Sequence, residues 1–214
     1  MQEKKGELTA IFGPMFSGKT GELIDRIESL GAVLKNSVMI KADIDTRYDP
    51  IQIVTHSGKK IDAFPVNVKT PQGILDVVLR VERGNKKLDI VGIDEVQFFE
   101  PEGVIRVTEQ LLEDGKAVLV AGLPTDFRDE PFGAMPILIA KADHPIAKTA
   151  YCKYLIAPEI YCSRPATKTQ RIIDGKPAEY SGPVVVVGAA ELYEARCRDH
   201  HEVPGKPVGK SNDS

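Results

Sequence analysis

The chain has 214 residues, 42% of them hydrophobic and 28% charged, with a formal net charge of −3. That length supports one sizeable core and a smaller appendage, and the composition is that of an ordinary globular protein. The small acidic excess, with both signs intermixed, argues against a broad nucleic-acid surface. No apolar run approaches the roughly 20 residues that span a membrane, and MQEKKGELTA lacks a secretory h-region. Three cysteines make a poor disulfide framework, so a cytoplasmic protein using them for metal or core is the simpler expectation.

In chain order, residues 1–6 read as a flexible start. ELTAIF is a buried strand that stops at Gly13. GELIDRIESLGAVL then places Leu23, Ile24, Ile27 and Leu30 at helical spacing. SVMIKA is a second strand, followed by the polar DIDTRYDP. IQIVTHSGKKIDAFPV reads as a hairpin around Ser57-Gly58. Thr70 to Arg83 is helix-like, with Pro71 in its first turn. LDIVGIDEVQFF is an apolar strand ending in two carboxylates, Val104 to Leu112 is helical, and KAVLVAGLPTDF is a further buried strand.

Strand and helix thus alternate over residues 7–142, which predicts an α/β domain with a parallel sheet flanked by helices. Ligands of such sheets bind beyond the carboxyl ends of the strands. The segments GPMFSGKT, DEVQFF and GLPTDFR should therefore meet in one crevice. Residues 143–203 hold all three cysteines and too little apolar material for an independent core, so a metal-stapled appendage is expected. The proline- and glycine-rich tail, residues 204–214, is expected to be disordered.

GPMFSGKT has the form G-x4-G-K-[ST], flanked by a strand and an amphipathic helix as that motif requires. Gly13, Pro14, Met15, Phe16, Ser17 and Gly18 would turn backbone N–H groups toward nucleotide phosphates. Lys19 would reach the β/γ-phosphates of ATP, and the Thr20 hydroxyl would ligate Mg²⁺. Asp94, at the end of an apolar strand, would be the second Mg²⁺ residue. Glu95 beside it points another way, toward an acceptor whose hydroxyl proton it can take, or toward water in an ATPase. Arg47 in DTRY either neutralises charge on the transferring phosphoryl group or is a surface arginine in a loop.

GPMFSGKT, DTRY, IDEVQFF, the AGL-T-DFR-EPFG series and TKTQR…VVVVG…ELYEARCR together resemble the thymidine kinases of the human cytosolic and bacterial type. The resemblance runs in order from about Glu7 to Val203. It implies a P-loop (RecA-like) sheet with a small C-terminal zinc-containing lasso domain, and transfer of the ATP γ-phosphate to the 5′-hydroxyl of thymidine, with deoxyuridine as a secondary substrate. Glu95 would be the general base, with Arg47 and Asp45 near the phosphates. Met15, Phe98, Leu123, Phe127 and Phe132 match the thymidine pocket, although aromatic residues in a small α/β domain are mostly core. The stretch Thr169 to Tyr193, with Val184, Val187 and Gly188, matches a loop whose backbone holds the thymine ring. A homotetramer inhibited by thymidine triphosphate is implied as well. Two positions depart from the family pattern: Pro124 stands where an acid is usual, and Ala189 where glycine is common.

The family's zinc site pairs one C-x2-C with a later C-x2-C or C-x2-H. Cys197 and His200 match the later half. In the earlier half, Cys162 matches, but Cys152 precedes it at C-x9-C spacing and Glu159 stands three residues before it. Three arrangements compete. Cys152, Cys162, Cys197 and His200 form a Cys3His structural zinc site, with the segment between the first two looping out. Alternatively Glu159 replaces a cysteine, or the site is degraded and the thiols are ordinary buried side chains. A nucleotide-binding ATPase without an acceptor site, and a nucleic-acid-dependent motor, are the competing functions.

Overall fold

A computed structural model of the chain describes residues 5–34, 36–44, 52–54, 60–84, 87–185 and 192–207. Its α/β part contains β1 (Leu8–Phe12), α1 (Lys19–Leu34), β2 (Ser37–Ala42), β3 (Gln52–Val54), β4 (Lys60–Asp62), β5 (Phe64–Val66), α2 (Gly73–Glu82), β6 (Ile90–Asp94), α3 (Pro101–Glu113), β7 (Ala117–Gly122), α4 (Met135–Lys141) and β8 (His144–Ala147). Six of these strands form one sheet in the order β5-β2-β6-β7-β1-β8. Every pairing in it is parallel, so all its carboxyl ends share one rim. β3 and β4 form the expected antiparallel hairpin.

The strands are apolar throughout because both faces are covered. Val38, Ile40, Val91, Ile93, Val118 and Val120 pack with side chains of α2, α3 and α4. The alternate positions Ile11, Met39, Ile90, Leu119 and Ala121 pack with Leu23, Ile24 and Ile27 of α1. Leu30 does not join them. It lies at the surface with Val33 and Leu34, and the i, i+3, i+4 spacing places the three on one face of the last turns of α1.

Three boundaries differ from the sequence expectation for local reasons. α2 starts at Gly73, because Thr70 to Gln72 form a tight turn in which the Gly73 N–H donates to Thr70. α3 starts earlier than Val104. The Glu100 carboxylate caps it, accepting from the Glu102 and Gly103 N–H groups, and Pro101 fills the first turn where its missing N–H is harmless. The sheet also runs past residue 142, since β8 pairs with β1 over His144–Ala147.

The remaining described chain is a small antiparallel module with β9 (Ala150–Tyr151), β10 (Leu155–Ala157), β11 (Ile160–Tyr161), β12 (Pro165–Ala166), β13 (Lys168–Ile173), β14 (Lys176–Pro177) and β15 (Tyr193–Arg196). Its core consists of Ala150, Cys152, Ala166, Ala195 and Cys197, with Cys162 against it. Such small side chains bury little apolar area. Part of the tail is ordered, in contrast to the expectation. The Tyr180 N–H donates to Pro204 O, and the Lys206 ammonium donates to Arg128 O and pairs with Glu130. Residues 208–214 lie outside the described residues.

Ile27 of α1 packs against the sheet at Gly92, where an added Cβ would lie 2.3 Å from its Cδ1. Ile27→Ala should lower the unfolding free energy by about 2–5 kcal/mol, read from urea titration. A loss below about 1 kcal/mol would mean that α1 is not packed as described.

Candidate active site and metal centre

β1 ends in the phosphate loop, whose turn is made by Phe16 at φ 64 and Gly18 at φ 77. Gly13 is confined by the neighbouring strand, because an added Cβ would lie 2.3 Å from the Lys148 carbonyl. Inside the loop the Ser17 hydroxyl and the Lys19 ammonium both donate to Pro14 O at 2.8 Å. Lys19 is buried. Burial lowers its pKa against the opposing pull of Glu95 and Asp94.

Asp94 closes β6 two strands away and accepts from the Thr20 hydroxyl at 3.1 and 3.3 Å. The two expected magnesium residues are therefore in contact. Burial first, then the charge of Glu95, pushes Asp94 up to about 7, while the Thr20 hydrogen bond opposes the rise. A cation placed there would relieve that penalty. Glu95 follows in the left-handed conformation, φ 52 and ψ 42, which turns its side chain out of the strand's alternation. Its carboxylate meets the Gln97 amide. Arg47 and Asp45 lie outside the described residues.

The described residues expected at the acceptor pocket come from several segments. Phe98, from the turn after β6, meets Phe132 edge to face at 5.5 Å. Leu123 is buried at the end of β7, and Phe127 is buried beneath the Arg171 guanidinium, 5.5 Å from its ring. Thr169 on β13 is buried, and its hydroxyl accepts the Met15 N–H at 3.1 Å. Val184 and Tyr193 are half-buried, whereas Val187, Gly188 and Ala189 lie outside the described residues. Pro124 leaves the loop closed. Its carbonyl accepts the Phe132 N–H, and Thr125 bridges Pro131. Asp126 organises the interior of that loop, accepting from the Arg128 and Glu130 N–H groups and pairing with the Arg128 side chain.

Cys152, Cys162, Cys197 and His200 come together with all their ligand atoms within 4.8 Å of one another. His200 Nδ1 is 3.6 Å from Cys152 Sγ and 3.4 Å from Cys197 Sγ. Those separations match the edges of a tetrahedron with about 2.0–2.3 Å metal–ligand bonds. Burial pushes the Cys152 thiol up, against the opposing pull of the Cys197 and Tyr154 backbone N–H groups. Burial opposes the Cys197 thiolate, yet the Arg164 bond and its other donors bring its pKa down to about 6. The donor set fits zinc and is of the closed, structural kind.

Glu159 is not among these ligands. The segment between Cys152 and Cys162 folds as the β10–β11 hairpin, and Glu159 sits exposed at its turn with φ 61. The hairpin's apolar residues, Leu155, Ile156, Ile160 and Tyr161, are also exposed. Arg164, which donates to Cys197 Sγ at 3.1 Å and to Asp199, had no signal in the spacing. Lys153, 5.4 Å from the Phe16 ring, was likewise invisible, because nothing in the sequence brings the hairpin's base to the phosphate loop.

A phosphate loop with a buried lysine, a threonine hydroxyl bonded to a strand-end aspartate and a second carboxylate next in sequence are the parts of a P-loop nucleotide-handling enzyme. The family model described as thymidine kinase matches residues 6–201. The chain is 46% identical over 203 residues to the thymidine kinase of Coprothermobacter proteolyticus, covering 95% of this chain and 94% of that one. It is 41% identical over 201 residues to the thymidine kinase of Thermococcus kodakarensis, covering 93% and 95%. The chain belongs to the thymidine kinase family and is an enzyme of the kinase class. No helix among the described residues is long and apolar enough to cross a membrane.

Asp94 has a sign that can be tested. Its folded pKa lies above the ordinary value of 3.8, so the group favours the fold below about 4 and that contribution is lost as pH rises toward about 7. Without nucleotide, the wild type should lose melting temperature between pH 5 and pH 7 relative to Asp94→Asn. A difference between the two proteins that stays constant across the interval would show that Asp94 is not perturbed.

Proposed function

We propose that the chain transfers the γ-phosphoryl group of ATP to the 5′-hydroxyl of thymidine, giving thymidine 5′-monophosphate for nucleotide salvage, with deoxyuridine as a weaker substrate. The observation that carries this reading is Glu95. Its left-handed backbone sets a carboxylate beside Asp94 and the phosphate loop while leaving the metal position to Asp94 and Thr20. Glu95 accepts the proton of the 5′-hydroxyl as the new O–P bond forms; the bond from Pγ to the bridging oxygen breaks and ADP leaves. Lys19 and the loop N–H groups stabilise charge on the phosphate oxygens, joined by Arg47. Thr20 and Asp94 would hold Mg²⁺, which would supply charge neutralisation at the phosphates.

Met15, Phe98, Leu123, Phe127, Phe132 and Tyr193 enclose the base and sugar in this reading, and backbone groups near Val184, Val187 and Gly188 pair with the thymine ring. Pairing through buried amides discriminates against a wrong base more strongly than a methyl contact. Cys152, Cys162, Cys197 and His200 would hold zinc, whose bonds would substitute for the core that the small module lacks. The exposed Leu30, Val33 and Leu34 support association into a homotetramer. Feedback inhibition by thymidine triphosphate and a cytoplasmic location complete the proposal.

Incubation with ATP, Mg²⁺ and thymidine should yield thymidine 5′-monophosphate; absence of product at high enzyme concentration would refute the activity. Glu95→Gln should reduce kcat by about 100-fold or more while ATP binding persists. Protein purified without added zinc should carry about one zinc per chain, and a content below about 0.2 would remove the metal from the proposal.

A further inference from the structure

The turn after β6 holds one buried polar side chain with no role above. Gln97 is 2% exposed, within an otherwise apolar run. Both ends of its amide are engaged. Oε1 accepts the Leu123 N–H at 3.1 Å, and Nε2 donates to Glu95 Oε2 at 2.5 Å. The orientation of the amide is forced by chemistry. A backbone N–H can only donate and an ionised carboxylate can only accept, so a flipped amide would lose both bonds.

The slot around Gln97 is shaped by two glycines. A Cβ at Gly122 would lie 2.5 Å from Gln97 Oε1, and one at Gly133 would lie 2.2 Å from Gln97 O. Gly133 also has φ +54, a conformation that side chains disfavour. The backbone at the end of β7 and before α4 therefore closes on Gln97 from two sides. Glu95, in contrast, sits on a turn in a left-handed conformation, and rotation about its own side-chain bonds would swing the carboxylate away from an acceptor.

We propose that Gln97 is the positioning residue for Glu95, tying the orientation of its carboxylate to the β7 end of the acceptor pocket through Leu123. The proposal rests on the reading of Glu95 as general base. Both ends of the Gln97 amide are taken up by Glu95 and the Leu123 N–H, so its loss is expected in kcat rather than in KM for ATP. Its contribution lies in holding one carboxylate oxygen aside so that the other faces the hydroxyl in a near-attack arrangement.

The test compares wild type, Glu95→Gln, Gln97→Glu, Gln97→Met and the double variant Glu95→Gln/Gln97→Met, with kcat and KM measured for ATP and thymidine. Gln97→Glu keeps an acceptor for the Leu123 N–H but replaces the donor facing Glu95. Its kcat should fall about 10–100-fold while KM for ATP stays within about 2-fold. Gln97→Met should fall by a similar factor in the wild-type background, but by less than about 3-fold in the Glu95→Gln background. A merely structural role would lower activity equally in both. Retained ATP binding shows that a variant is folded; if one Gln97 variant does not fold, the other carries the comparison. Wild-type kcat in the folded Gln97 variants, or equal losses in the two backgrounds, would overturn the proposal. Wild-type turnover in Glu95→Gln alone would instead remove the base on which it rests.

Discussion

The chemistry of this chain depends on the parallel register of three strands. Phe12 of β1 pairs with Gly122 of β7, and Ile93 of β6 pairs with Val120 of β7. The phosphate loop, the Asp94–Glu95 pair and the Leu123 amide therefore emerge at one level of the rim. A slip of β6 by one residue would send each of its side chains to the opposite face. Asp94 would then leave Thr20, and Val91 and Ile93 would leave the side of the sheet covered by α2, α3 and α4. The apolar alternation that packs the core thus also sets the position of the acids.

The second module is held by different means. Alanine and cysteine make its core, so polar attachments to the α/β part carry much of the burden of placing it. Lys168 pairs with Asp129. His201 Nε2 lies 3.0 Å from Phe127 O, and Lys206 reaches the Arg128 carbonyl. These contacts converge on residues 126–130, the loop whose interior Asp126 organises. The C-terminal segment is consequently fastened to the loop 126–130 and to Tyr180, which explains why Pro204 to Lys206 are ordered despite a composition that suggests a free tail.

Most of the α/β architecture was legible because its signals are local or periodic. The loop GPMFSGKT, the strand IVGID and the alternation of strand and helix need no knowledge of distant contacts. The errors fall where local pattern and long-range packing part. Leu30 has the spacing of a core residue, but the α1 contacts with the sheet end before it. Residues 144–147 follow an apparent change in composition, yet their pairing with β1 makes them an edge of the main sheet. The C-x9-C spacing left the metal ligands open, and only the folding of 155–161 into a hairpin brings Cys152 to Cys162 without Glu159. Gln97 was visible as a polar residue in DEVQFF, but its amide is fixed by the Leu123 N–H, 26 positions away.

The hydrogen bond from the Met15 N–H to Thr169 has a thermodynamic consequence. One amide of the phosphate loop is committed to β13, so the loop and the small module cannot relax independently. If nucleotide favours the docked state of β13 by some factor, docking of β13 favours nucleotide by the same factor, because linkage between two equilibria is reciprocal. Any such coupling would pass through a single threonine hydroxyl that joins the phosphate loop to β13.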